Sequence, residues 1–219
     1  MARQETALEI RSIPRIWPDS TIIVIGGGPS VAKVDMDLLF NPKFRTIGVN
    51  HSFLLGPVDL LWFGDFSWYQ ANQEAVHDFA GLKCTCATQL PEKPWPDIKR
   101  VRRCAVAKGE SREGLFGIEA SAPDRVRWNH NSGASAINVA YHLGASRVVL
   151  VGFDMRRIKG KSHYHDHYPE HDNVKDRYEK HLRCFDQIAA DAKVLGLEIL
   201  NCTPGSVIKQ FPFVKLGDV

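Results

Sequence analysis

The sequence predicts an α/β fold with a doubly wound, mostly parallel sheet of the Rossmann-like kind. Short apolar segments alternate along the chain with helical or turn-rich stretches, which is typical of parallel sheets with crossover helices. The first segment runs directly into glycines, in TIIVIGGGPS at residues 21–30. The chain has 219 residues, of which 44% are hydrophobic, and this is enough for one sizeable core.

Each element is predicted in chain order. Residues 1–18 form a polar, loosely held arm, and residues 19–219 form a single α/β domain. β-branched and apolar residues predict strands at Thr21–Ile25, Arg45–Val49, Leu60–Phe63, 83–88, 100–105, Arg147–Val151 and 197–200. Helices are predicted at 135–143 and 174–195, each followed by a glycine. Residues 88–125 hold many prolines and charges, so we expect irregular surface structure or a lid-like segment there.

Composition narrows the class of protein. The net charge of +3 fits a small anionic ligand and is too weak to argue for nucleic acid. No apolar run approaches the roughly 20 residues of a membrane-spanning helix, and the N-terminus lacks the apolar core of a signal peptide. The five cysteines are scattered, and Cys84 and Cys86 are too close for an ordinary disulfide. We therefore expect reduced thiols in a cytoplasmic protein.

The glycine-rich turn after the first strand predicts a phosphate site. Gly26, Gly27 and Gly28 allow backbone N–H groups to approach a phosphate without an intervening Cβ. Pro29 and Ser30 suit the start of a short helix, whose N-terminus attracts anions. A tight turn without a ligand is the alternative. The stretch is neither a G-x-G-x-x-G fingerprint nor a P-loop, so NAD and an ATPase-type cradle are not expected.

Polar residues follow three further strands. Asn50 and His51 come after the second strand, Asp65 after the third, and Asp154 after RVVLV. The carboxyl ends of parallel strands share one edge, so these residues can line one crevice. Asn50 can bind a base or sugar because it both donates and accepts, and Asp65 can bind a ribose hydroxyl, a metal or an acceptor. Ordinary turn chemistry is the alternative for each residue.

The segment NSGAS at residues 131–135 predicts a second helix start. Asn131 or Ser132 can cap the helix, and Gly133 allows close backbone approach. The segment can bind an anion or a nucleotide, or serve as a simple cap.

A basic stretch followed by histidines is the other unusual segment. Four cations, Arg156, Arg157, Lys159 and Lys161, precede His163, His165, His167 and His171, with Asp166, Glu170 and Asp172 among them. A neutral histidine can take a proton from a hydroxyl nucleophile. Alternatively, histidines and carboxylates can hold a divalent metal, since alternation places the imidazoles on one side of an extended segment. A solvated polar loop is the third alternative.

Taken together, these motifs resemble the bacterial lipooligosaccharide sialyltransferases. GGGPS resembles their G-x-GPS, a signature shared with an archaeal pterin diphosphokinase group and with small proteins of tailed phages. GVNHSF resembles their second-strand end, NSGAS their S-S-G helix start, and RVVLVGFDM their strand ending in G-[IF]-D. HYHDH, a helix and then EILNCTPGS resemble their H-Y-x-x-H, helix and C-x-x-x-S ending. The resemblance covers about residues 20–208.

The resemblance implies roles for individual residues. It implies a CMP-sugar donor, no required metal, and His167 as the catalytic base. The nucleotide would be bound by Gly26, Gly28, Ser30, Asn50, Ser132 and Gly133. Arg156 stands where those enzymes have a tyrosine after G-[IF]-D, and Tyr164 and Ser162 lie near the position of a second one. We expect Arg156 to stabilise the leaving phosphate, as a fixed cation can.

Three functions follow from these expectations. The first is an inverting glycosyltransferase, in which His167 deprotonates a hydroxyl of a glycan or modified base and Arg156 holds the departing phosphate. The second is a phosphotransferase of the pterin diphosphokinase type, with ATP and with Mg²⁺ held by Asp65, Asp154 or the histidines. The third is a non-catalytic nucleotide-binding module. Each of the three functions is compatible with a homo-oligomer.

Overall fold

The computed structural model describes residues 11–88, 97–105, 115–167 and 174–219. The strands are β1 Thr21–Ile25, β2 Arg45–Val49, β3 Leu60–Phe63, β4 Leu82–Thr85, β5 Ile98–Arg100, β6 Arg102–Arg103, β7 Arg125–Val126, β8 Arg147–Val151 and β9 Glu198–Asn201. The helices are α1 Met36–Leu39, α2 Phe66–Ala71, α3 Gln73–Asp78, α4 Ser132–Leu143, α5 Val174–Leu182 and α6 Phe185–Leu195. Short 3-10 helices occupy Pro29–Lys33, Asn50–Leu55 and Leu216–Asp218.

One parallel sheet organises the described part of the chain. Seven strands lie in the order β5-β4-β3-β2-β1-β8-β9, and every neighbouring pair is parallel. β6 and β7 pair separately. The chain runs outward from β1 to β5 and returns at β8 on the other side of β1. This reversal creates a topological switch point between β1 and β8, where ligands bind in such sheets. The predicted α/β, mostly parallel fold is confirmed.

The central strands are buried on both faces, as their continuous apolar sequence predicts. Ile22 and Val24 of β1 pack with residues of α4 and α6, whereas Ile23 and Ile25 pack on the other face with Val31. Alternate residues of a strand point to opposite faces, so one strand contributes to two clusters. Each fully buried aliphatic side chain contributes about 1.5–3 kcal/mol. The strand ends that form the site are thereby fixed in the core.

Helix boundaries differ from the predicted ones for local reasons. α4 begins at Ser132 rather than 135, because Asn131 caps it by accepting from Gly133 N and Ala134 N. The single helix predicted at 174–195 is two helices, α5 and α6, which are separated at Arg183 and Cys184. The Cys184 thiol contacts the carbonyl oxygen of His181 at 3.2 Å across this break.

The predicted strand at 100–105 is divided between β5 and β6. Val101 lies between them, 1% exposed, and its N–H bonds to the Thr85 carbonyl at 2.9 Å. The predicted strand at 83–88 is β4, which ends at Thr85. Residues 89–96 and 106–114 of the expected lid-like segment lie outside the described residues.

The described half of the predicted arm is attached to the sheet domain. Ile13 is 4% exposed, its N–H donates to Pro123 O at 2.8 Å, and the Trp17 N–H donates to Leu143 O at 2.8 Å. Residues 11–18 are therefore held in place rather than loose. All five cysteines are described, and all are free thiols. No helix in the described ranges is long and apolar enough to cross a membrane.

Candidate active site

A cleft of about 700 Å³ lies at the carboxyl ends of β1, β2, β3 and β8. This volume is within the usual range for small-molecule sites. Its walls come from the glycine turn, the residues after β2 and β3, the start of α4, the segment after β8 and α5. The cleft brings together these predicted site residues: Gly26, Gly27, Gly28, Asn50, Asp65, Ser132, Gly133, Asp154 and His167. Pro29, Ser30, Arg156 and Tyr164 are not among the residues that line it.

The glycine turn is bonded to the segment after β8, and we call residues 26–30 and 152–154 the β1–β8 seam. The N–H groups of Gly26 and Gly28 donate to Val151 O and Gly152 O at 2.8 and 2.9 Å. Ser30 donates to Asp154 Oδ2 through both its N–H, at 3.1 Å, and its hydroxyl, at 2.8 Å. Several donors that the sequence offers to a phosphate are thus already used within the chain.

Close packing explains the glycines of the seam. A Cβ at Gly28 would overlap Asp154 Oδ2 and lie 2.5 Å from Gly152 O, and one at Gly26 would lie 2.8 Å from Gly152 O. Gly27 differs, because a Cβ there would meet only His163 Nδ1, at an ordinary 3.5 Å. In the described part of the chain, no partner is found for the Gly27 N–H. Gly27 therefore keeps the donor of this turn that a ligand can use.

Asp154 supplies an acceptor at the seam. Its side chain is 2% exposed, and Ser30 occupies Oδ2. Oδ1 is buried and has no hydrogen-bond partner among the described residues. A buried carboxylate oxygen without a partner is costly, and a ligand hydroxyl or a cation would satisfy it.

The start of α4 and the end of β2 carry further unsatisfied groups, and we call Asn50, Asn131 and Ser132 the amide wall. Asn131 Oδ1 accepts from Gly133 N at 2.9 Å and Ala134 N at 3.2 Å, which fixes the orientation of the amide. Its Nδ2 is buried without a partner in the described residues, as is Asn50 Oδ1. The N-terminus of a helix favours anions. The wall therefore offers a fixed donor where a negative group is favoured.

Backbone strain is concentrated around the cleft. Asn50, His130 and Met155, which all line it, have φ angles of 52°, 50° and 52°. Positive φ at non-glycine residues costs on the order of 1–3 kcal/mol, and such residues cluster at functional sites. The strain supports a functional role for the cleft.

Four imidazoles meet at one side of the cleft and form a group that we call the histidine stack: His51, His163, His165 and His167. His51 and His167 are parallel, with ring centroids 4.6 Å apart and an interplanar angle of 7°. The His165 ring lies 4.5 Å from that of His51, 5.4 Å from that of His163 and 5.0 Å from that of His167. The alternating histidines thus share one side, although residues 162–167 are bends rather than a strand.

Burial keeps several of these histidines neutral. It lowers the pKa of His51 to about 4, helped by the nearby charge of His167, and it lowers the pKa of His165 to about 3. On α5, burial and then Arg177 lower the pKa of His181 to about 4. Within the described ranges, no three His, Cys, Asp or Glu side chains are arranged to hold a metal ion. His171, Glu170 and Asp172 lie outside the described residues.

Tyr164 and Arg156 lie beside the cleft. The Tyr164 N–H donates to Gly27 O at 3.0 Å and its hydroxyl donates to His51 O at 2.8 Å, so this residue joins two parts of the wall. Burial raises the pKa of Tyr164 to about 12. The Arg156 guanidinium is directed at Gly205, where a Cβ would lie 2.6 Å from Nη2. Their assignment as catalytic residues stays a prediction.

Asp65 lies at the β3 end of the cleft. Burial raises the pKa of its carboxyl, and the Arg103 guanidinium opposes that change from 3.9 Å. Arg103 also stacks on Trp128, 3.9 Å from its ring centroid. Asp65 therefore lies beside the Arg103 cation, which in turn packs on Trp128, an aromatic residue that lines the cleft.

Several lining residues were not singled out from the sequence. Trp68 of α2 donates from Nε1 to His51 Nδ1 at 3.1 Å, and other polar or aromatic lining residues of this kind are Ser67, Asn72, Trp128, His130, Arg177, Tyr178 and His181. Arg177 and His181 are four residues apart on α5, which places them on one helix face. The four-residue spacing of Arg177 and His181 can be recognised in the sequence, whereas no sequence pattern indicates the contact between Trp68 and His51.

Comparison with known proteins supports the fold. No protein-family pattern and no curated protein sequence matches the chain. Among solved structures, it is similar to the sialyltransferase CstII from Campylobacter jejuni, in complex with the substrate analogue CMP-3FNeuAc. The TM-score is 0.54 at 14% identity, over 89% of this chain and 86% of that one. The sialyltransferase-like fold is thereby confirmed, while the likeness to pterin diphosphokinases and phage proteins stays a prediction.

Proposed function

We propose that this protein is a glycosyltransferase that uses a nucleotide-activated sugar, with a CMP-sugar as the donor. The observation that carries the proposal is the shared cleft, in which the buried Asn131 Nδ2, without a partner in the described residues, lies at a helix start in the same cavity as the histidine stack. The helix start with Asn131 suits the binding of a nucleotide, and the histidine stack suits the removal of a proton from an acceptor hydroxyl. The likeness in fold to a sialyltransferase supports the same class.

The proposed position of the sugar donor rests on groups that lack partners in the described residues. Asn131 Nδ2, the first turn of α4 and the Gly27 N–H offer donors to the phosphate. Asp154 Oδ1 accepts from a hydroxyl of the ribose, and Asn50 accepts from the base or the ribose. This arrangement moves the phosphate from the seam, where Gly26, Gly28 and Ser30 are bonded within the chain, towards the amide wall.

His167 is the proposed base. Its ring nitrogen takes the proton of the acceptor hydroxyl while the acceptor oxygen bonds to the anomeric carbon of the sugar. The bond from that carbon to the phosphate breaks, and its electron pair stays on the departing nucleotide. Attack opposite the leaving group inverts the configuration. Arg177 lines the cleft and is a nearby cation for the leaving phosphate, whereas Arg156 would have to turn away from Gly205.

Nucleotide binding and turnover test the proposal separately. In a thermal-shift series with CMP, CDP, UDP, GDP and ADP, we expect CMP to raise the unfolding temperature most, because a bound ligand stabilises the folded state. If no nucleotide changes that temperature, the proposed site is wrong. Nucleotide-dependent transfer that requires Mg²⁺ would favour the phosphotransferase instead.

Removing the base gives the second test. We expect His167→Ala to lower kcat by at least ~10²-fold, the usual range for a general base, with unchanged affinity for CMP. His77→Ala is a matched control, because His77 lies outside the cleft, where it pairs with the Tyr69 hydroxyl at 3.0 Å. Equal turnover in His167→Ala and His77→Ala would contradict the assignment of the base.

A further inference from the structure

We infer that His51 is a positioning residue: Trp68 and Asn72 hold its ring edge, and its ring face fixes the plane of the His167 imidazole. The inference rests on the proposed function, in which His167 is the base. It concerns a residue for which neither the motif resemblance nor the comparison supplies a role.

Both nitrogens of the His51 ring are engaged. The Trp68 indole N–H donates to Nδ1 at 3.1 Å, so Nδ1 carries no proton and the ring N–H is on Nε2. The Asn72 side chain also bonds to the ring in the sense that raises the His51 pKa, which means that the ring donates and Asn72 accepts. Asn72 Nδ2 donates to Trp68 O at 2.7 Å, which leaves the Asn72 carbonyl oxygen to accept from Nε2. A ring with both nitrogens bonded is poorly suited to take a proton from an acceptor.

The remaining functional surface of His51 is its ring face. The His167 ring lies parallel to it, at 4.6 Å and 7°, while His165 packs at 4.5 Å and 52°. His167 itself is exposed. Its backbone N–H bonds to His165 Nδ1 at 3.3 Å and its ring meets that of His165 at a tilt of 46°, whereas the parallel stack on His51 places it against the buried wall.

The support beneath this contact is rigid. His51 is 3% exposed and Trp68 is 5% exposed. The Tyr164 hydroxyl donates to the His51 carbonyl at 2.8 Å, which ties the backbone of His51 to the histidine segment. Misplacing a reacting group by about 1 Å can cost about 10²-fold in rate. A base on an exposed segment therefore gains from a fixed surface beneath it.

Turnover of paired variants tests the role of the ring face. We expect His51→Ala, which removes the face, to lower kcat by about 10–10²-fold with little change in the KM for the donor. His51→Phe combined with Trp68→Phe keeps an aromatic face and removes the indole donor that would be left unpaired, and it should retain most of the turnover. In a His167→Ala background, His51→Ala should cause no further loss.

Two outcomes of these assays would overturn the inference. If the His51→Phe, Trp68→Phe protein is as inactive as His167→Ala, His51 acts chemically and does not merely position the base. If His51→Ala and His167→Ala lower kcat independently, the two rings do not act as a unit.

Nuclear magnetic resonance of histidine-labelled protein gives a test without substrate or turnover. We expect the His51 signals to report an unprotonated Nδ1 and a proton on Nε2. The ring protons of His167 should be displaced by the ring current of His51, with the displacement lost in His51→Ala and kept in the phenylalanine variant. A proton on His51 Nδ1, or His167 signals that do not change in His51→Ala, would overturn the inference. Absence of transferase activity would refute the proposed function and leave this measurement intact.

Discussion

The β1–β8 seam and the amide wall lie at the same cleft, and they differ in how their polar groups are satisfied. Most donors of the seam are bonded within the chain, whereas the Gly27 N–H and Asp154 Oδ1 there lack partners in the described residues. In the seam, the N–H groups of Gly26, Gly28 and Ser30 are all bonded within the chain. In the amide wall, Asn50 Oδ1 and Asn131 Nδ2 are buried without partners in the described residues.

The difference separates packing from recognition. A buried group without a partner costs about 1–3 kcal/mol, and a bound ligand can remove that cost. Gly26 and Gly28 are explained by their close contact with the segment after β8, and this explanation requires no ligand. Atoms of the substrate are therefore expected at the amide wall, at Gly27 and at Asp154 Oδ1, and not at the N–H groups of Gly26, Gly28 and Ser30.

Substituting Gly28 gives the largest expected effect. The new Cβ of Gly28→Val would overlap the Asp154 carboxylate and press on Gly152 O. We expect at least about 3 kcal/mol of lost stability, measured by urea denaturation. A stable Gly28→Val protein would show that the seam is looser than described.

Lowering the pH gives the second largest expected loss of stability, and it acts through His51, which follows Asn50 of the amide wall. Because the folded pKa of His51, about 4, is below its ordinary 6.5, the unfolded chain binds an extra proton between these values. Stability is complete above pH 6.5 and is lost as the pH falls towards 4, by up to about 1.4 kcal/mol per pH unit for this group. Denaturation at several pH values checks this.

The control for the acid effect is the phenylalanine variant. In the His51→Phe, Trp68→Phe protein, the unfolding free energy should depend less steeply on pH, by the contribution of about one proton. The contributions of His165 and His181 should remain. An unchanged slope would mean that His51 is protonated in the folded protein.

Asn131 distinguishes capping from binding. Asn131→Asp keeps the N-cap that holds Gly133 and Ala134 and replaces the unpartnered donor with an acceptor of negative charge. We expect stability within about 0.5 kcal/mol of the original and an approximately ten-fold loss of CMP affinity, or about 1.4 kcal/mol, by calorimetry. Equal CMP affinity in Asn131→Asp and the unchanged protein would mean that the phosphate does not bind at the amide wall.

Gly27→Ala gives the smallest expected change in stability. Its Cβ has ordinary space beside His163, so the free energy of unfolding should change by no more than about 0.5 kcal/mol. CMP binding should weaken, because the methyl group enters the cleft. Comparing Gly27→Ala with Gly28→Ala therefore separates the two roles of neighbouring glycines, and equal destabilisation by both would contradict the distinction.

Much of the fold can be predicted from local sequence, because the responsible interactions are local. The β-branched run at Thr21–Ile25 predicts β1, and the capping residues Asn131 and Ser132 predict a helix start close to that of α4, which begins three residues before the predicted 135. The break between α5 and α6 has no such mark, since neither Gly nor Pro occurs at Arg183 and Cys184.

The site is predictable in its location but not in its contacts. Strand ends in a parallel sheet share an edge, which brings Gly27, Asn50 and Asp154 together. The partner of Ser30, however, is Asp154, 124 residues away, and a glycine triplet looks the same whether it admits a phosphate or another strand. The stack of His51 on His167 likewise depends on packing between distant segments.

The position of β1 also has a consequence for synthesis of the chain. Its two neighbours are β2, which follows it soon along the chain, and β8 at Arg147–Val151. Until residues 147–151 have left the ribosome, one edge of a central strand with four consecutive aliphatic residues, 22–25, lacks its partner. Such unpaired edges promote association between chains. The first half of the chain is therefore the part that we expect to associate most readily during synthesis, and truncation before β8 is expected to yield aggregates rather than a smaller folded domain.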